Sequence, residues 1–247
     1  MPIRQELMAR RNRILRNRSV TSSKEAKFVA TSPIVKKNVF DTYGPWVKSR
    51  MAGVQKYLQQ PVVGKTLLEL GGGHGLCGNE FHKLGAIVTT CDALEEHIDV
   101  AKQRYPHLNA FQLDVEHDSL PDTHYDIILH WGLLYHIAEI DKHLADVCHA
   151  CDTLLLESEV IDSENPDSFF RRTEQGADQA ANNVGMRPSA AMIEVILKKN
   201  GFDFLRIVDP ILNGGQHIYD WKCKETGEWT QSHRRFWIAW RHTHDSN

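Results

Sequence analysis

The chain has 247 residues, of which 41% are hydrophobic and 25% charged, with a formal net charge of −3. Those fractions match ordinary globular proteins and exclude a disordered or fibrous chain, and the length suits one large domain, alone or with a small appendage. No run approaches the ~18 uninterrupted apolar residues of a membrane span, and the first residues lack the apolar stretch of a secretory signal.

The charge is unevenly spread. Residues 1–40 hold ten Lys or Arg against Glu6 and Glu25, so the remainder carries the excess acid. Three readings of this basic arm stay open. It can pack on its own acidic body or on a second copy, meet RNA electrostatically, or serve as a transit segment. Domain boundaries are therefore set at 1–40 for the arm and 41–247 for the body.

Elements follow in chain order. Trp46, Val47, Met51, Val54 and Leu58 recur at helical spacing over about 39–58, and Pro61 closes that stretch. Alternation of strand and helix starts at Thr66–Leu70, a short apolar run ending in a glycine cluster, as in a buried parallel strand. The pattern continues with a helix over 80–84, a strand over 86–91 and a helix over 95–104. Further strands are read at 110–113, 125–129 and 153–158, with a helix over 140–150. Such β-α-β units imply a mostly parallel sheet.

The last third differs. Residues 162–188 are polar and read as an irregular substrate lid carrying Arg171 and Arg172. Ser189 caps a helix that Gly201 ends. Strands are expected at 202–208 and 235–240, with Phe236, Ile238 and Trp240 packing a sheet edge.

The five cysteines are an odd number in a chain large enough to fold without staples, which points to a reduced, cytoplasmic protein. Cys148 and Cys151 form one C-x-x-C with no second pair at metal spacing, so they are read as small buried residues and no metal site is expected.

The segment Glu69-Leu70-Gly71-Gly72-Gly73-His74-Gly75 sits between the first strand and the next helix. Glycines there allow a tight turn and close approach of a ligand to the backbone. Asp92 ends the second strand, where a carboxylate can accept from both ribose hydroxyls, and Asp114 ends the third, positioned for an adenine amino group. A carboxylate at Glu69 would repel a pyrophosphate and attract a cation. A cationic, phosphate-free nucleoside such as S-adenosylmethionine fits those demands.

These motifs, with Leu113-Asp114-Val115 and Tyr125 through His136, resemble those of class I S-adenosylmethionine-dependent methyltransferases. The resemblance covers about residues 40–242. It implies a Rossmann-like α/β fold, a seven-stranded, mostly parallel sheet with an antiparallel last strand. It also implies that S-adenosyl-L-methionine is held by Glu69, Gly71, Gly73, Gly75, Asp92, Ala93, Asp114, Val115 and His130. A narrower similarity, through Gly132–His136, Leu155–Asp162 and Arg187–Asp209, is to the enzymes that carboxymethylate the wobble uridine of tRNA. It implies a carboxylated cofactor held by Tyr135 and by Arg234 or Arg235. The family's upstream tryptophan- and lysine-rich segment is echoed only by Trp46 and Lys48. Sugar and small-metabolite methyltransferases share the downstream pattern.

The sulfonium is already electrophilic, so catalysis is chiefly the positioning of a nucleophile. A base is needed only for a weakly acidic acceptor, and His130, Tyr135 and His136 are the candidates. Tyr135, Arg171, Arg172 and Arg235 are candidate substrate contacts. A small metabolite or sugar leads as acceptor, RNA through residues 1–40 is the alternative, and a scaffold without catalysis is a third reading. A homodimer is compatible with the sequence, and a membrane partner is not expected.

Overall fold

A computed structural model describes residues 42–174 and 184–242. The arm 1–40 lies outside the described residues, so its three readings have no structural account. Among the described residues, five helices and nine strands follow in order: α1 (Gly44–Tyr57), β1 (Thr66–Leu70), α2 (Leu76–Lys83), β2 (Ile87–Asp92), α3 (Glu95–Arg104), β3 (Asn109–Gln112), β4 (Tyr125–Trp131), α4 (Ile140–His149), β5 (Cys151–Ile161), β6 (Phe169–Thr173), β7 (Val184–Pro188), α5 (Ala190–Lys199), β8 (Phe202–Ile207) and β9 (Trp229–Arg241).

Seven strands form one sheet in the order β3-β2-β1-β4-β5-β9-β8. The first five are parallel, and β9 runs antiparallel to both β5 and β8. This is the expected fold class. The central strands read as continuous apolar runs because both of their faces are covered. Leu68, Leu70, Ile128, Leu154 and Leu156 pack toward α4 and α5 on one side. Leu67, Ile127, Leu129, Leu155, Phe236 and Ile238 pack toward α1 and α2 on the other.

Three expectations are corrected. First, α2 begins at Leu76 rather than at residue 80, since the chain enters it directly from Gly75 at φ +77°. Second, residues 162–188 are not irregular throughout: β6 and β7 pair as an antiparallel ribbon, Phe169 opposite Pro188. Every β6 residue is exposed, so the ribbon has no apolar alternation to announce it. Third, β9 lies inside the sheet, leaving β8 as the edge. Phe236 and Trp237 are both fully buried on opposite faces, whereas Trp240 is 43% exposed.

Ser189 caps α5 as expected, its side chain accepting from the Met192 amide at 3.0 Å. Ser189→Ala should lower stability by about 1 kcal/mol. A denaturant midpoint measured against the wild type checks this, and an unchanged midpoint would count against the cap. Cys148 and Cys151 are buried, free thiols. Among the described residues no group of His, Cys, Asp or Glu is placed to hold a metal ion, and no helix is long and apolar enough to cross a membrane.

Candidate active site

The carboxyl ends of β1, β2 and β4 open onto one pocket, the place where parallel sheets offer their strand ends to ligands. One end is built by the glycine loop. Glu69 is buried, with Oε2 accepting from Thr90 Oγ1 at 2.7 Å and Oε1 from the Gly78 amide at 3.0 Å. The parallel register, Glu69 opposite Thr90, makes the first contact, and the first turn of α2 makes the second. Burial pushes the Glu69 carboxyl up to about 7, against those two hydrogen bonds. Glu69 thus braces the loop from beneath as well as lining the pocket.

Asp92 does similar work at the end of β2. Its Oδ2 accepts from the Gly73 amide at 2.8 Å, and Oδ1 accepts from the Leu94 amide at 3.0 Å and faces His97 Nδ1 at 2.9 Å. Ala93, Asp114 and Val115 complete this wall. Gly73 and Gly75 shape the loop through positive φ rather than by lining the pocket. Gly72, which the sequence reading did not single out, does line it.

The other end is charged and deeply buried. Glu157 on β5 bridges two arginines, Arg50 of α1 at 3.0 Å and Arg234 of β9 at 3.2 Å, and accepts from Tyr219 Oη at 3.0 Å. Burial opposes its charge, yet Arg50 and Arg234 hold the carboxyl down to about 2. Arg234 also meets Glu159 at 3.0 Å, and Glu159 meets Arg187 of β7 at 2.9 Å. The Tyr135 ring lies beside both Arg234 and Arg187, with guanidinium carbons 4.8 and 5.1 Å from its centre. Trp46 stacks on His217 at 4.0 Å between ring centres.

Residues 67–153 match the family described as methyltransferase domain. No functionally curated protein matches the chain. Among solved structures, the N-terminal domain of EvdMO1, determined with SAH and D-fucose, is similar at a TM-score of 0.60 and 17% identity, with 98% of each chain covered. An S-adenosylmethionine-dependent methyltransferase from Mesorhizobium loti gives 0.57 and 15%, covering 78% of this chain and 98% of that one. Magnesium protoporphyrin IX methyltransferase (ChlM) from Synechocystis PCC 6803 gives 0.55 and 16%, covering 96% and 95%. At these identities the likeness is one of fold.

The methyltransferase-domain match thus runs from β1 into the start of β5, the part of the chain that builds the glycine loop and Asp92. The loop suits S-adenosylmethionine: Glu69 and Asp92 both line the pocket, where carboxylates can meet hydroxyls and a cationic amino group.

Around this pocket the catalytic candidates separate. His130 does not line the pocket: it is fully buried, pointing to α4, with Nε2 2.7 Å from His143 Nε2. Burial and His143 push it well below the usual histidine range, so it is a neutral core group. Its β-strand neighbour Trp131 faces the pocket instead, because successive side chains alternate. Tyr135 lines the pocket, but burial raises its phenol, which accepts from Arg234 Nη1 at 3.2 Å and keeps its proton. His136 lines the pocket.

Among the proposed substrate contacts, Arg171 sits on the exposed ribbon, 3.7 Å from Glu139, and Arg172 covers Trp229 at 4.8 Å. Neither lines the pocket. Arg235 points away as well, donating to the carbonyls of Tyr219 and Trp221 and stacking 3.6 Å over the Trp221 ring. Its neighbour Arg234 lines the pocket. Sequence reasoning missed Arg50, although a charge one turn along from Trp46 and Val47 and next to Met51, on an apolar stripe, was a usable signal.

Proposed function

We propose that this methyltransferase acts on a small metabolite or sugar, with Glu69, Asp92, Ala93, Asp114 and Val115 holding S-adenosylmethionine. The observation that carries the reading is a single pocket that joins the glycine loop to an enclosed end lined by Trp46, Arg50, Tyr135, His217 and Arg234. An enclosed, largely buried wall favours a small acceptor over an extended polymer. When bound, the cofactor supplies a methyl group on a positively charged sulfur. The chain's own residues hold its charged and hydroxyl groups, exclude water and aim the acceptor.

The RNA alternative draws on residues 1–40, and the carboxylated-cofactor reading on the contact between Arg234 and Tyr135. That contact cuts both ways, since Arg234 is already paired with Glu157 and Glu159. The small-molecule reading therefore leads.

Calorimetric titration with S-adenosylhomocysteine tests the cofactor assignment. Wild-type protein should bind in the micromolar range, about −8 kcal/mol, and Asp92→Ala should lose most of that affinity. Equal affinity in the variant would refute the role given to Asp92. Deleting residues 1–38 should leave small-molecule methylation intact. A large, salt-sensitive loss of acceptor binding would instead favour RNA.

A further inference from the structure

His136 ends the short 3-10 turn Leu134–His136 that follows β4, and it lines the pocket beside Tyr135, their ring centres 4.2 Å apart. Its Nδ1 lies 2.5 Å from Glu174 Oε2. Glu174, just after β6, has no exposed side-chain surface and is ion-paired with Arg187. Arg187 is itself fixed by Glu159 at 2.9 Å and by the Tyr135 carbonyl at 3.2 Å. A carboxylate paired with a guanidinium accepts hydrogen bonds, so the proton in this contact belongs to His136 Nδ1. That selects the neutral tautomer with its lone pair on Nε2. Nε2 has no protein partner among the described residues, and the His136 side chain remains 12% exposed.

His217 at the same end is the reverse case. Arg50 only donates, so His217 Nδ1 accepts at 3.4 Å and its Nε2 holds the proton. Burial and the two arginines push His217 down to about 3, which keeps it neutral and unable to take a second proton near pH 7.

We propose that His136 Nε2 removes the proton of the methyl acceptor, that Glu174 is the positioning residue, and that the accepting atom is a hydroxyl oxygen. This rests on the small-molecule reading above. An amine attacks through a lone pair it already has, whereas a hydroxyl is a weak nucleophile until its proton leaves. In the step, the acceptor oxygen bonds to the methyl carbon and the carbon–sulfur bond breaks, its electron pair going to sulfur. The hydroxyl proton passes to His136 Nε2, and the resulting imidazolium is balanced by Glu174.

Two measurements test this. Nitrogen-15 NMR of histidine-labelled full-length protein, saturated with S-adenosylhomocysteine and assigned with His136→Gln, should show Nδ1 protonated and Nε2 bare. Glu174→Gln should mix or reverse the tautomers. An Nε2–H form in the wild type would overturn the proposal. The second uses methyl-labelled S-adenosylmethionine with two acceptor sources tested separately, a deproteinised small-molecule extract and a total RNA fraction. An O-methyl product is expected, made about 10²–10⁴-fold more slowly by His136→Gln. Glu174→Gln should lower kcat while leaving KM and S-adenosylhomocysteine affinity unchanged. An N-, S- or C-methyl product, or no product despite intact S-adenosylhomocysteine binding, overturns the proposal. Label entering only an RNA fraction would sink the small-molecule reading, and the methylated atom, ribose oxygen or base nitrogen, would then decide the role of His136.

Discussion

Glu157→Ala is expected to cost about 3–5 kcal/mol of folding stability, the loss typical when one partner of a buried ion pair is removed. The Glu157 side chain is wholly buried, and its two oxygens meet Arg50, Arg234 and Tyr219. Without it Arg50 keeps only neutral partners, Tyr219 and His217, and Arg234 keeps Glu159. A guanidinium does not shed its proton to escape burial, so the penalty stays in the folded state. The pH dependence has a definite sign. The Glu157 carboxyl is held at about 2 in the fold against 4.5 as its ordinary value. Its contribution is therefore full above 4.5 and is lost as pH falls toward 2. The stability gap between wild type and variant, read by urea denaturation, should be largest near pH 7 and narrow below pH 4.5. A gap under roughly 1 kcal/mol, constant with pH, would show that the network is solvated rather than buried.

Gly72→Ala should lower affinity for S-adenosylhomocysteine by at least about 100-fold, a loss of about 2.7 kcal/mol. A Cβ at position 72 would stand 2.1 Å from Thr90 Oγ1 and 2.8 Å from Glu69 Oε2. Those two atoms are hydrogen-bonded to each other at 2.7 Å, so neither can retreat without leaving a buried carboxylate underserved. The loop itself must move, and with it the backbone that the ligand approaches. Gly44→Ala is the matching control, since a Cβ at that first residue of α1 meets nothing within 4 Å. Calorimetry on both variants decides the matter. An affinity for Gly72→Ala within roughly threefold of wild type would mean the loop has slack that these distances deny.

The elements that the sequence made legible are those whose local signals agree with their surroundings. β1 falls at Thr66–Leu70 and α3 at Glu95–Arg104, as apolar spacing and flanking residues indicate. The strands were underestimated where they carry charge. β5 continues past Ser158 through Glu159 to Ile161, and β9 begins at Trp229, well before its apolar stretch. Acids and arginines inside a strand look like its end, unless each finds its opposite across the ladder, as Glu159 does in facing Arg234. The β6–β7 ribbon escaped notice because its exposed face gives no periodicity to read. At the site, the glycine loop and Asp92 are local in sequence and were legible. Choosing Arg234 over Arg235 depends on which face of β9 is turned to the pocket, and one residue of phase reverses the answer. Glu174 could not be inferred, because its meeting with His136 spans 38 positions and is made only by the folded ribbon.

The reversed direction of β9 has a consequence for redesign. In a wholly parallel sheet only strand ends reach the ligand edge, but an antiparallel strand arrives there with its beginning. The connection from Val208 to Glu228 is thereby delivered to the enclosed end of the pocket, bringing His217 into its lining and Tyr219 against Glu157, while six paired positions from Phe202 to Ile207 clamp its two ends. That connection is also tied to the body through Leu212 in the core and through Lys224 and Thr226 on Asp162. A substitution at His217 that keeps those anchors and Tyr219 against Glu157 would recontour the acceptor wall, while the glycine loop, on the far side of β4, is left as it stands.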